Sequence, residues 1–284
     1  MKDDNPPFAQ VLKQANAIYG EGDPVGALKQ LQPAIESDFL DAILLASRIH
    51  WSLRQYEMAR HVLSSSPSHA SKLVIRQTLW ILGTHFQLPL RGKKVTLCRR
   101  SKQDVAFVKT CWSNKEFMMN FHRLAQKIDN DDALIALLDA EANANLLNSS
   151  ALHWTINDAK GNKLGFTSLV DFSLPHRRAE LVVGLIDPKP GFALEATLLT
   201  MDFAFRLINI NKLCSAIYDG NKSAIAATAH LGFVKEGVLR QHILDQNSQT
   251  FIDVHLSSML ANDYFSNASL SKLAGRLIGR HVAN

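Results

Sequence analysis

The apolar period of this chain changes once along its length, and that change demands two kinds of architecture. From Phe8 to Leu53 apolar side chains recur at steps of three and four: Phe8, Val11, Leu12, Ala15, Ile18, Tyr19, then Leu28, Leu31, Ile35, then Leu40, Ile43, Leu44, Ala46, Leu53. That is the stripe of amphipathic helices. Gly20-Glu21-Gly22-Asp23-Pro24 and Ser64-Ser65-Ser66-Pro67 separate the helices as turns. From His153 the period becomes two. His153–Ile156, Gly165–Val170, Ala179–Ile186 and Leu213–Tyr218 read as strands, and Asp158–Asn162 reads as a hairpin turn between the first two. A strongly apolar helix, Phe192 to Ile208, separates the last two strands. A sheet, a crossover helix and a return to the sheet give an α/β or α+β unit with a parallel pair at the crossover.

Between these regions the composition shifts at Gln87-Leu88-Pro89-Leu90-Arg91-Gly92-Lys93-Lys94, which reads as a linker. Val95–Cys98 follows as a short β-prone run, then helical stretches from Phe107 to Leu124 and from Asp131 to Leu138. Ser223 to Leu231 reads as another short helix and Phe251 to Leu260 as a closing strand. The net charge of +5 arises from 31 basic against 26 acidic side chains, and its whole excess lies in Arg91, Lys93, Lys94, Arg99 and Arg100. Five charges in one short stretch make a poor phosphate-tracking surface, so a nucleic-acid partner is not expected. The expected role of these residues is a solvated linker or an interdomain contact.

Three cysteines, Cys98, Cys111 and Cys214, show neither CxxC nor metal-ligand spacing, which fits free thiols in a reducing compartment and no metal site. The start MKDDNPPF is acidic and carries no apolar segment behind it, and no apolar run reaches the ~18–20 residues that span a bilayer. A soluble, cytoplasmic protein with no membrane partner is expected. The basic, amphipathic stretch with Leu270, Leu273, Leu277 and Ile278 reads as a packed terminal helix.

Gly22–Ala27 and Arg54–Ala59 each set a helix-opening turn ahead of a small residue, 32 positions apart. That spacing resembles tetratricopeptide (TPR) repeats, whose period is ~34. A small helical bundle accounts for the same pattern.

Three stretches carry the functional signal. The first is Ala179-Glu180-Leu181-Val182-Val183-Gly184-Leu185-Ile186-Asp187-Pro188, continued by Gly191-Phe192-Ala193-Leu194-Glu195-Ala196. The second is Asn221, eleven residues before Gly232-Phe233. The third is Leu231-Gly232-Phe233-Val234-Lys235-Glu236-Gly237-Val238-Leu239-Arg240. In this order and spacing they resemble the GNAT acetyltransferases, in particular the branch that includes the ribosomal-protein N-acetyltransferases, whose LGFxxEGxLR signature the third stretch matches. The resemblance spans about residues 93–265. It implies three segments: a helical domain over 1–90, a GNAT-like mixed sheet with covering helices over 91–265, and a terminal helix over 266–284.

The resemblance implies acetyl-CoA as cosubstrate, and the physics of the turn agrees. A strand running through a glycine-containing turn into a helix aims free N–H groups and the positive dipole end at an anion such as a pyrophosphate. Gly191, Phe192 and Ala193 would form that site. The sequence departs from the family turn, Gln/Arg-x-x-Gly-x-Gly/Ala. Pro188 stands in its first position, the loop is about three residues short, and Pro190 removes a donor. By resemblance, a backbone N–H of Leu185 or Ile186 polarises the thioester carbonyl. Asn221 would hydrogen-bond the pantetheine arm, although an Asn there serves equally as a helix cap.

Glu180 falls where some family members hold a general base on the fourth strand, with His176 and His153 as alternatives. The tyrosine that many members place seven residues after the asparagine is Thr228 here. Thr228 or Ser223 would relay a proton through water, or the thiolate leaves without a dedicated acid. Tyr218 could substitute, but core packing also explains it. The expected reaction is direct acetyl transfer to a primary amine in a ternary complex. The acceptor is a protein or peptide N-terminus, an amino sugar or another small-molecule amine, with the helical domain a possible surface for a protein partner. The rival expectation is a non-catalytic interaction module on a degenerate GNAT scaffold.

Overall fold

The computed structural model describes residues 8–53, 55–69, 72, 74–75, 78–79, 88–119, 128–143, 146, 149–173, 175–188, 190–245 and 248–282. The chain divides into two compact units, Met1–Phe86 and Gln87–Asn284.

The first unit is built from helices α1 (Ala9–Gly20), α2 (Pro24–Glu36), α3 (Leu40–Ser52) and α4 (Tyr56–Ser64). Asp23 accepts the Gly26 N–H at 2.8 Å and Pro24 occupies the first helical position, so the Gly-Asp-Pro turn both ends α1 and starts α2. Successive helices pack against each other as two hairpins. Ala27 and Ala59, 32 residues apart, are both fully buried at matching positions in the second helix of each hairpin. Asp38, at φ 55°, gathers the hydroxyls of Ser66 and Ser68, which ties the α2–α3 turn to the segment after α4. These hydrogen bonds hold its carboxyl below the usual range.

The second unit is a mixed eight-stranded sheet in the order β1-β2-β3-β4-β5-β6-β8-β7. Its strands are β1 (Leu90–Arg91), β2 (Val95–Arg99), β3 (Leu152–Asp158), β4 (Lys163–Ser173), β5 (Arg178–Leu185), β6 (Lys212–Tyr218), β7 (Val234–Asp245) and β8 (Thr250–Leu260). All neighbouring pairs are antiparallel except β5 and β6. Helices α5 (Val105–Ser113), α6 (Lys115–Met119) and α7 (Asp131–Asn143) cover one face, packing Val108, Cys111, Phe117, Leu134 and Leu138 around Phe166. Asn114 breaks the stretch expected as one helix from Phe107. Its backbone leaves the helical region and its side chain accepts the Phe117 N–H at 2.9 Å. Residues 120–124 of that stretch lie outside the described residues.

The crossover helix α8 (Phe192–Asp202), extended by a π-turn over Phe203–Leu207, covers the other face. Trp154 meets Phe203 edge-on with ring centroids 5.0 Å apart, and the Thr167 and Thr200 hydroxyls are 3.0 Å apart. Helix α9 (Lys222–His230) follows β6, and α10 (Ala261–Ser266) and α11 (Ala268–Ile278) end the unit. The terminal helix packs on α8. Buried Asp202 binds Arg206 at 3.0 Å and Arg280 at 2.8 Å, so residues 266–282 belong to the second unit. Among the described residues no helix is long and apolar enough to cross a membrane.

Two further expectations change. Strand β7 runs through the charged Val234–Arg240 segment, where no strand was read. Bulges at Lys235/Gly237 and Leu239/Ile243 break the alternation that would have marked it. Arg99 and Arg100 are not a solvated linker. Arg99 donates to the carbonyls of His153 and Glu141 at 3.1 Å each and lies over the Trp154 ring, and Arg100 binds the Glu141 carboxylate at 2.6 Å. Burial pulls the Arg99 guanidinium down to about 10 despite Glu141.

Candidate active site

The site is built where β5 and β6 part. Their parallel pairing is confined to Arg178↔Lys212, Ala179↔Leu213 and Glu180↔Cys214. Beyond that point β5 stays paired with β4 as far as Leu185, while β6 follows β8. The register of β5 decides which of its amides face the gap. The Ile186 N–H donates to the Leu164 carbonyl at 2.9 Å. In an antiparallel ladder this turns the even-numbered amides of β5 towards β4 and the odd-numbered ones away from it. Val183 and Leu185 therefore turn their backbone N–H groups to the open edge, where no strand pairing is seen among the described residues. Ile186 does not, because its N–H is already committed.

Side-chain direction follows from the same register. Val183 lies opposite Thr167, which touches α8, so the odd residues of β5 face α8. Glu180, Val182 and Gly184 face the side covered by α5 to α7, together with His153, Phe166 and Ser168. Glu180 is only 8% exposed, at the last rung before the strands part, with Cys214 opposite it on β6. Burial pushes the Cys214 thiol up. The carboxylates of Glu236 and Glu180 add to this, and Lys212 opposes it. Glu236 accepts from Lys212 Nζ at 2.6 Å and from the Ser258 hydroxyl at 2.7 Å. These bonds hold its carboxyl below the usual range.

At the far end of the open β5 edge stands the N-terminus of α8. Gly191 adopts φ 84° as its cap, and among the described residues no side chain caps the helix. The amides of Phe192, Ala193 and Leu194 thus lie in a first turn without intrahelical partners. The geometry suits an anion at the helix end and an extended chain along the β5 edge, the two recognition elements an acyl-CoA needs.

The remaining expected residues are placed as follows. Asn221 caps α9, its Oδ1 accepting the Ala224 N–H and the Ser223 hydroxyl at 3.1 Å each. Ser223 thereby spends its proton on Asn221, and the Thr228 hydroxyl donates to the Ala224 carbonyl of its own helix. Neither hydroxyl proton is left over for a leaving thiolate in this arrangement. Tyr218 is buried in β6 on the Glu180 side of the sheet. His176 is exposed in the turn before β5. His153 is half-buried, its Nδ1 2.8 Å from the Ser168 hydroxyl. Burial, aided by Arg100 and Arg99, holds it well below the usual imidazole range. Among the described residues no group of three His, Cys, Asp or Glu side chains could hold a metal.

Sequence reading did not single out Lys94 or Cys214 as site residues. Lys94 stands in the turn before β2, yet its ammonium lies 5.8 Å from the centre of the Phe192 ring. Nothing local in the sequence links residue 94 to the turn near residue 191.

Within the second unit, residues 94–234 match the family Acetyltransferase (GNAT) domain. Among curated relatives, the Spermidine N(1)-acetyltransferase of Escherichia coli (strain K12) is 36% identical over 85 residues, 29% of this chain and 45% of that enzyme. The chain thus spans just under half the length of that relative. The Spermidine N(1)-acetyltransferase of Vibrio cholerae is 23% identical over 150 residues, 52% of this chain and 83% of that enzyme. The fold is shared with the crystal structure of the Vibrio cholerae spermidine N-acetyltransferase in complex with CoA and spermine. That superposition has a TM-score of 0.53 at 22% identity and covers 60% of this chain and 97% of that one.

Proposed function

We propose that this chain transfers the acetyl group of acetyl-CoA to a primary amine of a polyamine such as spermidine or spermine. The observation that carries the proposal is the parting of β5 from β6 beside the uncapped N-terminus of α8, within a domain that matches the GNAT family. The acceptor class is supported by the relatives named for spermidine. The Glu180 carboxylate, at the last rung before the strands part, suits a cationic amine.

In this reading the α8 amides of Phe192 and Ala193, with Gly191, hold the pyrophosphate, and the β5 edge pairs with the pantetheine arm. Asn221 lies at the turn after β6, where it flanks that arm. The oxyanion donor is Leu185 rather than Ile186, since only the Leu185 N–H faces the gap. The amine nitrogen attacks the thioester carbonyl carbon, the C–N bond forms, and the C–S bond breaks with its electron pair leaving on sulfur. Glu180 takes the amine's proton, directly or through water. Water returns a proton to the thiolate, as the hydroxyls of Thr228 and Ser223 are engaged. The reaction is placed in the cytoplasm, where acetyl-CoA is available.

The test is binding before turnover. A ligand held only by the native state stabilises it by about 2.7 kcal/mol at a hundredfold excess over Kd, a rise in Tm of several degrees. Acetyl-CoA is expected to give that rise, and mass spectrometry is expected to show acetylated spermidine or spermine. No Tm shift at millimolar acetyl-CoA would return the domain to a non-catalytic scaffold. A shift with acetylation of peptide N-termini alone would discard the polyamine.

A further inference from the structure

We infer that Lys94 brings a cation from outside the shortened phosphate turn to the end of α8, and that it binds the pyrophosphate of CoA. The inference rests on the acetyl-CoA reading above.

The turn after β5 holds two prolines, Pro188 and Pro190, which offer no backbone N–H. Pro188 stands where the family pattern has Gln or Arg. The first turn of α8 also contains a carboxylate, Glu195, which is fully buried. A negative charge there opposes an anion at the helix end. The structure shows what Glu195 does instead. Its Oε1 accepts the backbone N–H of Lys94 at 2.7 Å and that of Val95 at 3.1 Å, which pins the turn before β2 onto α8. Gly92 makes that approach possible. A Cβ on Gly92 would stand 2.1 Å from Glu195 Oε1.

Pinned in this way, Lys94 sends its side chain to the end of α8. A Cβ on Gly191, the helix cap, would lie 3.8 Å from Lys94 Nζ, and the ammonium also lies over the Phe192 ring. Lys94 makes no ion pair among the described residues, and its side chain is exposed. An unneutralised ammonium beside free helix amides is the pairing that binds a phosphate, with the lysine acting as a point charge. Gly191 matters here for a second reason, because its positive φ excludes most side chains from the approach.

The experiment is isothermal calorimetry on the full chain with CoA, dephospho-CoA and pantetheine. Lys94→Ala is expected to weaken CoA and dephospho-CoA alike by about tenfold, the scale of one charge-assisted hydrogen bond. Pantetheine affinity and Tm are expected to stay as in the unaltered protein, and Lys94→Arg is expected to restore most of the loss. Lys93→Ala, in the same exposed turn, is expected to change nothing. A loss for CoA but not for dephospho-CoA would move Lys94 to the 3′-phosphate and overturn the assignment. Equal affinities in the Lys94→Ala variant would also overturn it. Failure of the unaltered protein to bind CoA would defeat the acetyl-CoA reading itself, and it is visible before any variant is made.

Discussion

Arg177 and Asn209 close the paired end of the gap between β5 and β6. The Arg177 guanidinium donates from Nε to the Asn209 carbonyl at 2.8 Å and from Nη2 to Asn209 Oδ1 at 2.7 Å. Both residues sit in the left-handed region, at φ 50° and φ 55°. The Arg177 carbonyl in turn accepts the N–H groups of Asn211 and Lys212. Two strands that must part three rungs later are therefore fastened at their starts by side chain and backbone together.

Arg177→Ala is expected to lower stability by about 1 kcal/mol, the scale of hydrogen bonds near solvent, while keeping the strained backbone. It is also expected to weaken acetyl-CoA binding a few-fold, because the open edge of β5 is aimed from this end. Asn209→Ala keeps the carbonyl acceptor but loses Oδ1 and puts an alanine where asparagine tolerates the left-handed backbone, so it should cost at least as much. Urea titration and calorimetry read both, and an Arg177→Ala variant equal to the unaltered protein in both would sink the idea.

This clamp also shows where sequence reading stops. The period change from Leu53 to His153, the apolar crossover helix and Gly191 at its start all carry local signals, so the sheet, α8 and the phosphate turn could be read from residues alone. The parting of β5 and β6 could not, since it depends on which rungs form between segments about thirty positions apart. The choice between Leu185 and Ile186 needed the Leu164 partner. Lys94 and Glu195 are separated by a hundred residues, and Arg99 looked like a linker charge until Trp154 and Glu141 were placed around it. Strand β7 was hidden by its own bulges.

Glu180→Gln tests the base. The variant keeps the volume and can still hydrogen-bond at the last rung beside Cys214, but it cannot accept the amine's proton. A positioned base contributes roughly 10²–10⁴-fold, so kcat is expected to fall in that range with little change in Tm. A base works only when ionised, so the rate of the unaltered protein is expected to show an acidic limb that the variant lacks. A variant that keeps both rate and limb would return Glu180 to a packing role.

His153 should be visible in stability rather than in catalysis. Its pKa is depressed on folding, mainly by burial, so below the unfolded value of about 6.5 the unfolded chain binds a proton that the native state refuses. Stability is then fully present above about pH 6.5 and falls as pH drops below it, by up to about 1.4 kcal/mol per pH unit, until the folded-state pKa is reached. Denaturation at pH 7.5 and pH 5.5 should show this drop. His153→Gln, which can still hydrogen-bond Ser168, should remove the His153 part of it. Equal slopes in the two proteins would assign the pH dependence to other groups.

Gly165 and Gly161 make a paired test of how rigidly β4 presents β5. A Cβ on Gly165 would stand 2.0 Å from the Gly184 carbonyl oxygen and 2.8 Å from Leu185 Cα, both backbone atoms that cannot swing aside. Gly165→Ala must push β5 away from β4 at the residue whose N–H faces the gap. Overpacking of this kind costs about 1–3 kcal/mol, and the displaced Leu185 should lower both acetyl-CoA affinity and kcat. Gly161, in the β3–β4 turn, has open space around its Cβ position but adopts φ 84°. Gly161→Ala should therefore cost about 1–2 kcal/mol through backbone strain alone and leave acetyl-CoA binding untouched. If the two variants lose stability alike and both bind acetyl-CoA as the unaltered protein does, the contact between Gly165 and Leu185 has no part in shaping the site. If only Gly165→Ala loses affinity, the close approach of the two backbones is what holds the Leu185 amide where the thioester carbonyl must lie.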